Sequence, residues 1–311
     1  MDRTALNRVI AVSNGKGGVL KTTITANIGG LLAASGSRVL LVDLDPQGNL
    51  AEDLGFTGSD RDDRGAALAD ALQTGGRYGA TPVRTIRDNL DVFVGGPELE
   101  RASAFLVTRG SQSETTQLAL ARVLAPIAAD YDLVLIDCPP GEEALQTAAM
   151  GAAKWVLVPV KSDASSRRGF EAVANRLELV RGQHDGVTGY NPEVGLLGVV
   201  LVGVGTNSTA IRREARHRIV GEDTAASRDV FESTIRHSEA TAQATRETGQ
   251  LVHELDDQVS RAPKWYQIRR GEATAPDFAP RSATNVADDL QAVTEELVAR
   301  LASAESEGDT A

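Results

Sequence analysis

The chain has 311 residues, 41% of them hydrophobic and 24% charged, with a net charge of −11. That much apolar sequence can build a large core, which excludes bulk disorder, a collagen repeat and a coiled coil. The acidic balance opposes wholesale coating of nucleic acid or anionic lipid and leaves room only for a local basic face. The single cysteine, Cys138, excludes an internal disulfide framework and a cysteine-only metal site.

The elements alternate along the chain. Nearly continuous apolar runs at Val9–Ser13, Val39–Asp43, Leu90–Val94, Leu133–Asp137, Trp155–Val160 and Leu197–Val202 read as strands buried on both faces. A shorter run, Val230–Ser233, reads as an edge strand. Helical patterns fall near 21–35, 114–128, 141–152, 165–181 and 208–220, with a closing helix near Ala283–Ala302. Strand and helix in alternation predict right-handed crossovers. The expected fold is therefore one α/β domain over 1–311, a doubly wound, mostly parallel sheet flanked by helices. Residues 57–88, around one helix at Ala66–Leu72, and residues 256–283 read as insertions or long loops. Residues 303–311 read as a flexible acidic tail. The start lacks a basic segment followed by a long apolar one, so no signal peptide is expected. No apolar run of about 18 residues exists, so no membrane span is expected either.

The strongest chemical signal follows the first strand: Gly15, Lys16, Gly17, Gly18, Val19, Leu20, Lys21, Thr22, Thr23. A strand, a glycine-rich turn and a helix opening on Lys-Thr form the context of a P-loop. Glycines let successive N–H groups converge on phosphate oxygens, and the helix start adds positive partial charge. Lys21 is expected to neutralise phosphate charge, and the Thr22 hydroxyl to ligate Mg²⁺. Leu20 stands where the motif asks for glycine. Either the loop turns this side chain toward apolar neighbours or nucleotide binding suffers. The expectation is ATP–Mg²⁺ binding that is weaker than in a Leu20→Gly variant.

Two further strands end in acids. The second closes on Asp43-Leu44-Asp45-Pro46-Gln47-Gly48-Asn49, which places two carboxylates on one side of the strand. Alone this is also compatible with a polar strand-end turn. Another closes on Leu133-Val134-Leu135-Ile136-Asp137, the arrangement in which an acid holds Mg²⁺.

GKGGVLKTT, VDLDPQGN and LIDCPPG together resemble the deviant Walker A, A′ and B motifs of the ParA/MinD-type ATPases. DLDPQGN is similar to the ParA sequence rather than the MinD one. WVLVPVKSDASSRRGFEAV resembles the stretch that meets the nucleotide base in that family, and the likeness covers most of 8–255 and the last helix. The resemblance implies a P-loop NTPase that hydrolyses ATP with Mg²⁺, weakly and under partner stimulation. It implies that Lys16 reaches across an ATP-bound homodimer and that Asp45 positions the attacking water. It also implies that Asp43 and Asp137 lie near Mg²⁺ and that Pro159 and Asn207 lie near the base. The expected partners are nonspecific DNA and a ParB-like centromere-binding protein, for partition of plasmid, phage or chromosome, in the cytoplasm on the nucleoid.

Arg212, Arg213, Arg216 and Arg218, with Arg236 further on, are the candidate DNA contacts. Arg212 and Arg216 share a helical face, which read alone also suits a solvated surface. The segment 261–270 interleaves bases with Trp265 and Tyr266, suiting either a packed loop or stacking on unpaired bases. About eight residues precede the first strand, so a helix-turn-helix and operator binding are not expected. The acidic C-terminal segment opposes a MinD-like membrane helix. The other readings are a ParA/MinD-like positioner of a protein cargo or a cell-division component, and an ATPase weakened by Leu20. A nitrogenase-iron-protein relative would need more cysteines.

Overall fold

The computed structural model describes residues 2–110, 117–161, 166–182, 190–204, 229–261, 270 and 280–308. Eight strands form one sheet: β1 (Val9–Val12), β2 (Val39–Asp43), β3 (Val83–Arg87), β4 (Leu90–Phe93), β5 (Leu133–Asp137), β6 (Trp155–Lys161), β7 (Gly195–Val204) and β8 (Val230–Arg236). Their order is β3-β4-β2-β5-β1-β6-β7-β8. All neighbours run parallel except β3, which pairs antiparallel with β4.

The helices are α1 (Lys21–Ala34), α2 (Asn49–Asp53), α3 (Ala66–Gln73), α4 (Leu99–Gly110), α5 (Ala119–Leu124), α6 (Glu143–Ala152), α7 (Ser166–Arg181), α8 (Glu239–Thr248), α9 (Val252–Arg261) and α10 (Ser282–Gly308). Alternation along each strand divides the core in two. Ile10, Val12 and Leu41 pack with Ile24 and Ile28 of α1 and with Leu290, Val293 and Leu297 of α10. Val9, Ala11, Leu40 and Val42 face the other way, against Leu68 and Leu72 of α3, Leu106 of α4 and Leu145 of α6. Val173 and Leu177 of α7 cover Val156, Val158 and Val160. The all-apolar strands are thus buried on both faces, as their composition demands.

The stretch 57–88 contributes α3 and the edge strand β3 to this frame. The C-terminal segment stays helical to Gly308. Among the described residues, no helix is long and apolar enough to cross a membrane.

β1 and β5 are neighbours, and their connections leave in opposite directions, from β1 toward β2 and from β5 across β1 to β6. That makes the crevice at their carboxyl ends the topological switch point, where open α/β sheets take their ligands.

Candidate nucleotide site

The glycine-rich loop leaves β1 at this switch point. Ser13 and Asn14 are buried, with Gly15 to Leu20 forming the turn before α1. The Asn14 side-chain amide donates to the Pro159 carbonyl at 2.7 Å, and its Oδ1 accepts from the Lys16 N–H at 2.9 Å. A Cβ on Gly169 would lie 2.6 Å from that Oδ1, so glycine in α7 makes room for the brace. Pro159 is buried in β6 and serves the loop through its carbonyl.

Leu20 sits at φ 63°, ψ 26°, the left-handed conformation that glycine adopts without cost. An L-residue there gives up about 1–2 kcal/mol. Its half-buried side chain packs against the core shared by α1 and β2, away from the open turn. Its carbonyl still accepts the first helical bond of α1, from Ile24 N–H at 2.9 Å. Leucine therefore reproduces the backbone of the missing glycine and is anchored by apolar contact. Val19 is buried beside it, while Gly15, Gly17 and Gly18 are exposed and Thr22 and Thr23 half-exposed at the start of α1.

Lys21 is almost fully buried, and its ammonium donates to the Lys16 carbonyl at 3.1 Å. Burial lowers its pKa, opposed first by the Asp137 carboxylate. A low-dielectric setting strengthens its pull on any anion brought to the loop.

The acids close the other side. The parallel register sets Asp43 directly beside Asp137. The Asp43 carboxylate accepts from the Asp45 N–H at 2.8 Å and the Leu50 N–H at 3.3 Å, and burial and then Asp137 raise its pKa. Asp137 is 1% exposed, and neither of its carboxylate oxygens has a hydrogen-bond partner. Burial pushes its pKa up to about 7, with the Thr22 hydroxyl and the Lys21 ammonium opposing.

Two orphaned carboxylate oxygens in a buried site need a partner. An oxygen-only set of Thr22 and Asp137, backed by Asp43, suits a hard cation such as Mg²⁺, which takes one or two carboxylates and completes its shell with phosphate and water. Among the described residues, no group of three His, Cys, Asp or Glu side chains forms a protein-only metal site. This agrees with a cation whose remaining ligands arrive with the substrate.

Asp45, two residues beyond Asp43, is buried at 6% exposure. Its carboxylate accepts from the Gln47 N–H at 2.9 Å, and its carbonyl accepts from the Gly48 and Gly96 N–H groups, each at 3.0 Å. The turn after β2 is thereby fixed against the loop after β4. A Cβ on Gly95 would fall 2.3 Å from the Asp43 carboxylate carbon, so Gly95 is the space that Asp43 occupies. Asn14 and Gly95 are functional neighbours that sequence reasoning missed. Their roles come from contacts between strands, though a strand-end Gly-Gly pair is a usable signal.

Arg236 ends β8 in a bidentate pair with Asp289 of α10, at 2.6 and 2.8 Å. In the isolated chain its guanidinium fastens that helix to the sheet. Asn207, Arg212, Arg213, Arg216 and Arg218 lie outside the described residues, as does most of 261–270.

A glycine-rich turn between a central strand and its helix, faced by acids ending two neighbouring strands, defines a P-loop nucleoside triphosphatase fold. A family model described as an AAA domain matches residues 7–187, and the chain belongs to that family, within it to the ParA-type partition ATPases. The chromosome partitioning protein ParA of Caulobacter vibrioides is 37% identical over 194 residues, covering 62% of this chain and 68% of that protein. An ATP complex of Cyanothece McdA shares the fold, with a TM-score of 0.68 over 93% of this chain and 96% of that one at 20% identity. The cobyrinic acid a,c-diamide synthase of Mycobacterium smegmatis, with bound ADP and magnesium, is 30% identical. It has a TM-score of 0.58 and overlaps 88% of this chain and 99% of its own.

Proposed function

We propose that this ParA-like ATPase partitions DNA. The ATP-bound homodimer binds DNA without sequence preference, and hydrolysis stimulated by a ParB-like partner releases it on the nucleoid. The observation that supports this most is the convergence at one switch point of Lys21, Thr22, Asp43, Asp45 and the unpartnered carboxylate of Asp137. The loop N–H groups and Lys21 bind the phosphates. Thr22 and Asp137 hold Mg²⁺, with Asp43 behind them; the ion, when bound, neutralises charge developing on the transferred phosphoryl group. Asp45 orients water, and Lys16 approaches the partner's phosphates. Arg212, Arg213, Arg216 and Arg218 supply the phosphate-backbone contacts.

Phosphate release and light scattering test the core of this reading. The parent is expected to hydrolyse ATP slowly and to dimerise with ATP. Asp45→Ala keeps ATP-dependent dimerisation and loses turnover by about 10²-fold or more. Lys16→Ala loses dimerisation. An Asp45→Ala protein that hydrolyses ATP at the parental rate overturns the assignment.

A further inference from the structure

The reading above uses two lysines at the phosphate loop, and the fold brings a third. β1 and β6 pair as far as Val12↔Leu157, with Ser13 N–H donating to the Leu157 carbonyl at 3.0 Å. β6 then continues through Lys161, alongside the turn into which β1 has broken. The stem of Lys161 runs beside Gly203 of β7: a Cβ there would meet its Cγ at 3.8 Å and its Cε at 4.0 Å. Its ammonium ends beside the loop, where a Cβ on Gly18 would lie 3.8 Å from Nζ. Gly18 has φ +71°, so a side chain is disfavoured at the point where the ammonium approaches. Within the described residues, no hydrogen bond or ion pair holds this half-exposed lysine.

We propose that Lys161 is a third phosphate-binding cation, reaching the nucleotide's polyphosphate from β6 of the same chain. The inference rests on the nucleotide-binding reading and extends it. An ammonium with no carboxylate partner among the described residues, set against a loop already electropositive from Lys16, Lys21 and the start of α1, is best satisfied by an anion. The anion this loop is shaped for is a chain of phosphates. A charge-assisted contact of this kind, at the edge of the site, strengthens binding about ten-fold. It also gives a loop strained at Leu20 an anchor on the phosphates that does not depend on its own backbone.

Anisotropy titrations of the full chain with a fluorescent ATP analogue and Mg²⁺ test this. Lys161→Met is expected to weaken binding about ten-fold, and Lys161→Arg to stay within about three-fold of the parent. Both variants keep the parental melting temperature, because the side chain is half-exposed. Overturning results are a Lys161→Met protein that binds within about three-fold of the parent, or a Lys161→Arg protein as weak as Lys161→Met. A parent that binds no ATP sinks the nucleotide reading itself. A parent that binds, with an equally competent Lys161→Met, sinks only the role of Lys161.

Discussion

Leu20 offers a test in which two ordinary expectations trade places. Alanine is normally the better residue inside a helix, yet Leu20 sits at the start of α1 with a left-handed backbone at φ 63°, ψ 26°. Strain of about 1.5 kcal/mol falls on any residue with a Cβ and is absent for glycine. The half-buried leucine contributes about 1 kcal/mol of packing, less than a fully buried one. Leu20→Ala loses that packing and keeps the strain, so it is expected to fall about 1 kcal/mol below the parent. Leu20→Gly loses the same packing and sheds the strain, while its looser unfolded chain costs about 0.7 kcal/mol. The glycine variant should therefore be the more stable of the two by about 1 kcal/mol, or roughly 2–3 °C. Urea titrations and thermal melts of both variants measure the difference. An alanine variant equal to or more stable than the glycine one refutes the reasoning. The strain is present with or without ligand, and the leucine side chain turns inward. Leu20→Gly should accordingly bind ATP no more than about three-fold more tightly than the parent.

Gly95→Ala places a methyl group on the Asp43 carboxylate; it is expected to lose about 2 kcal/mol of stability in urea and most ATP binding, and an unaffected variant contradicts the packing role of Gly95. Burial raises Asp53 to about 6 from 3.8, so between about pH 4 and 6 the unfolded chain releases its proton first and stability falls as pH rises. Asp53→Asn should remove that slope, with a gain approaching 3 kcal/mol at pH 7; parallel pH profiles for parent and variant contradict it. Replacing Arg212 and Arg216 together by alanine should weaken binding to unrelated duplexes alike and flatten the salt dependence by about two counterions, whereas unchanged binding moves the DNA surface elsewhere.

The strands β1, β2, β5, β6 and β7 were legible because a parallel strand covered on both faces reads as an unbroken apolar run. β3 was not. Val-Arg-Thr-Ile-Arg lies at the edge with one residue buried, and its composition is that of a surface loop. The helices α8 and α9 were hidden by polar sequence. α8 declares itself only in its caps: Ser238 accepts from the Thr241 N–H, and Gly249 ends it at φ 64°. A Cβ on Gly249 would lie 2.2 Å from the Gly55 Cα, a constraint that no local pattern shows.

In the site, Lys21, Thr22, Asp43, Asp45 and Asp137 stood out because each falls at a strand end or helix start in a recognisable order. Asn14, Gly95 and Lys161 did not. Each acts on a neighbour brought close by strand pairing, β1 with β6 or β2 with β4, and pairing order is invisible until the chain folds.

DNA binding gated by nucleotide tests the central claim most directly. A fluorescent duplex of arbitrary sequence is titrated with the parent protein in ATP–Mg²⁺, in ADP–Mg²⁺ and without nucleotide, its anisotropy followed at several salt concentrations. The account predicts tight, strongly salt-dependent binding with ATP and little with ADP or none, sustained in Asp45→Ala. Equal binding in all three states, or none in any, contradicts it.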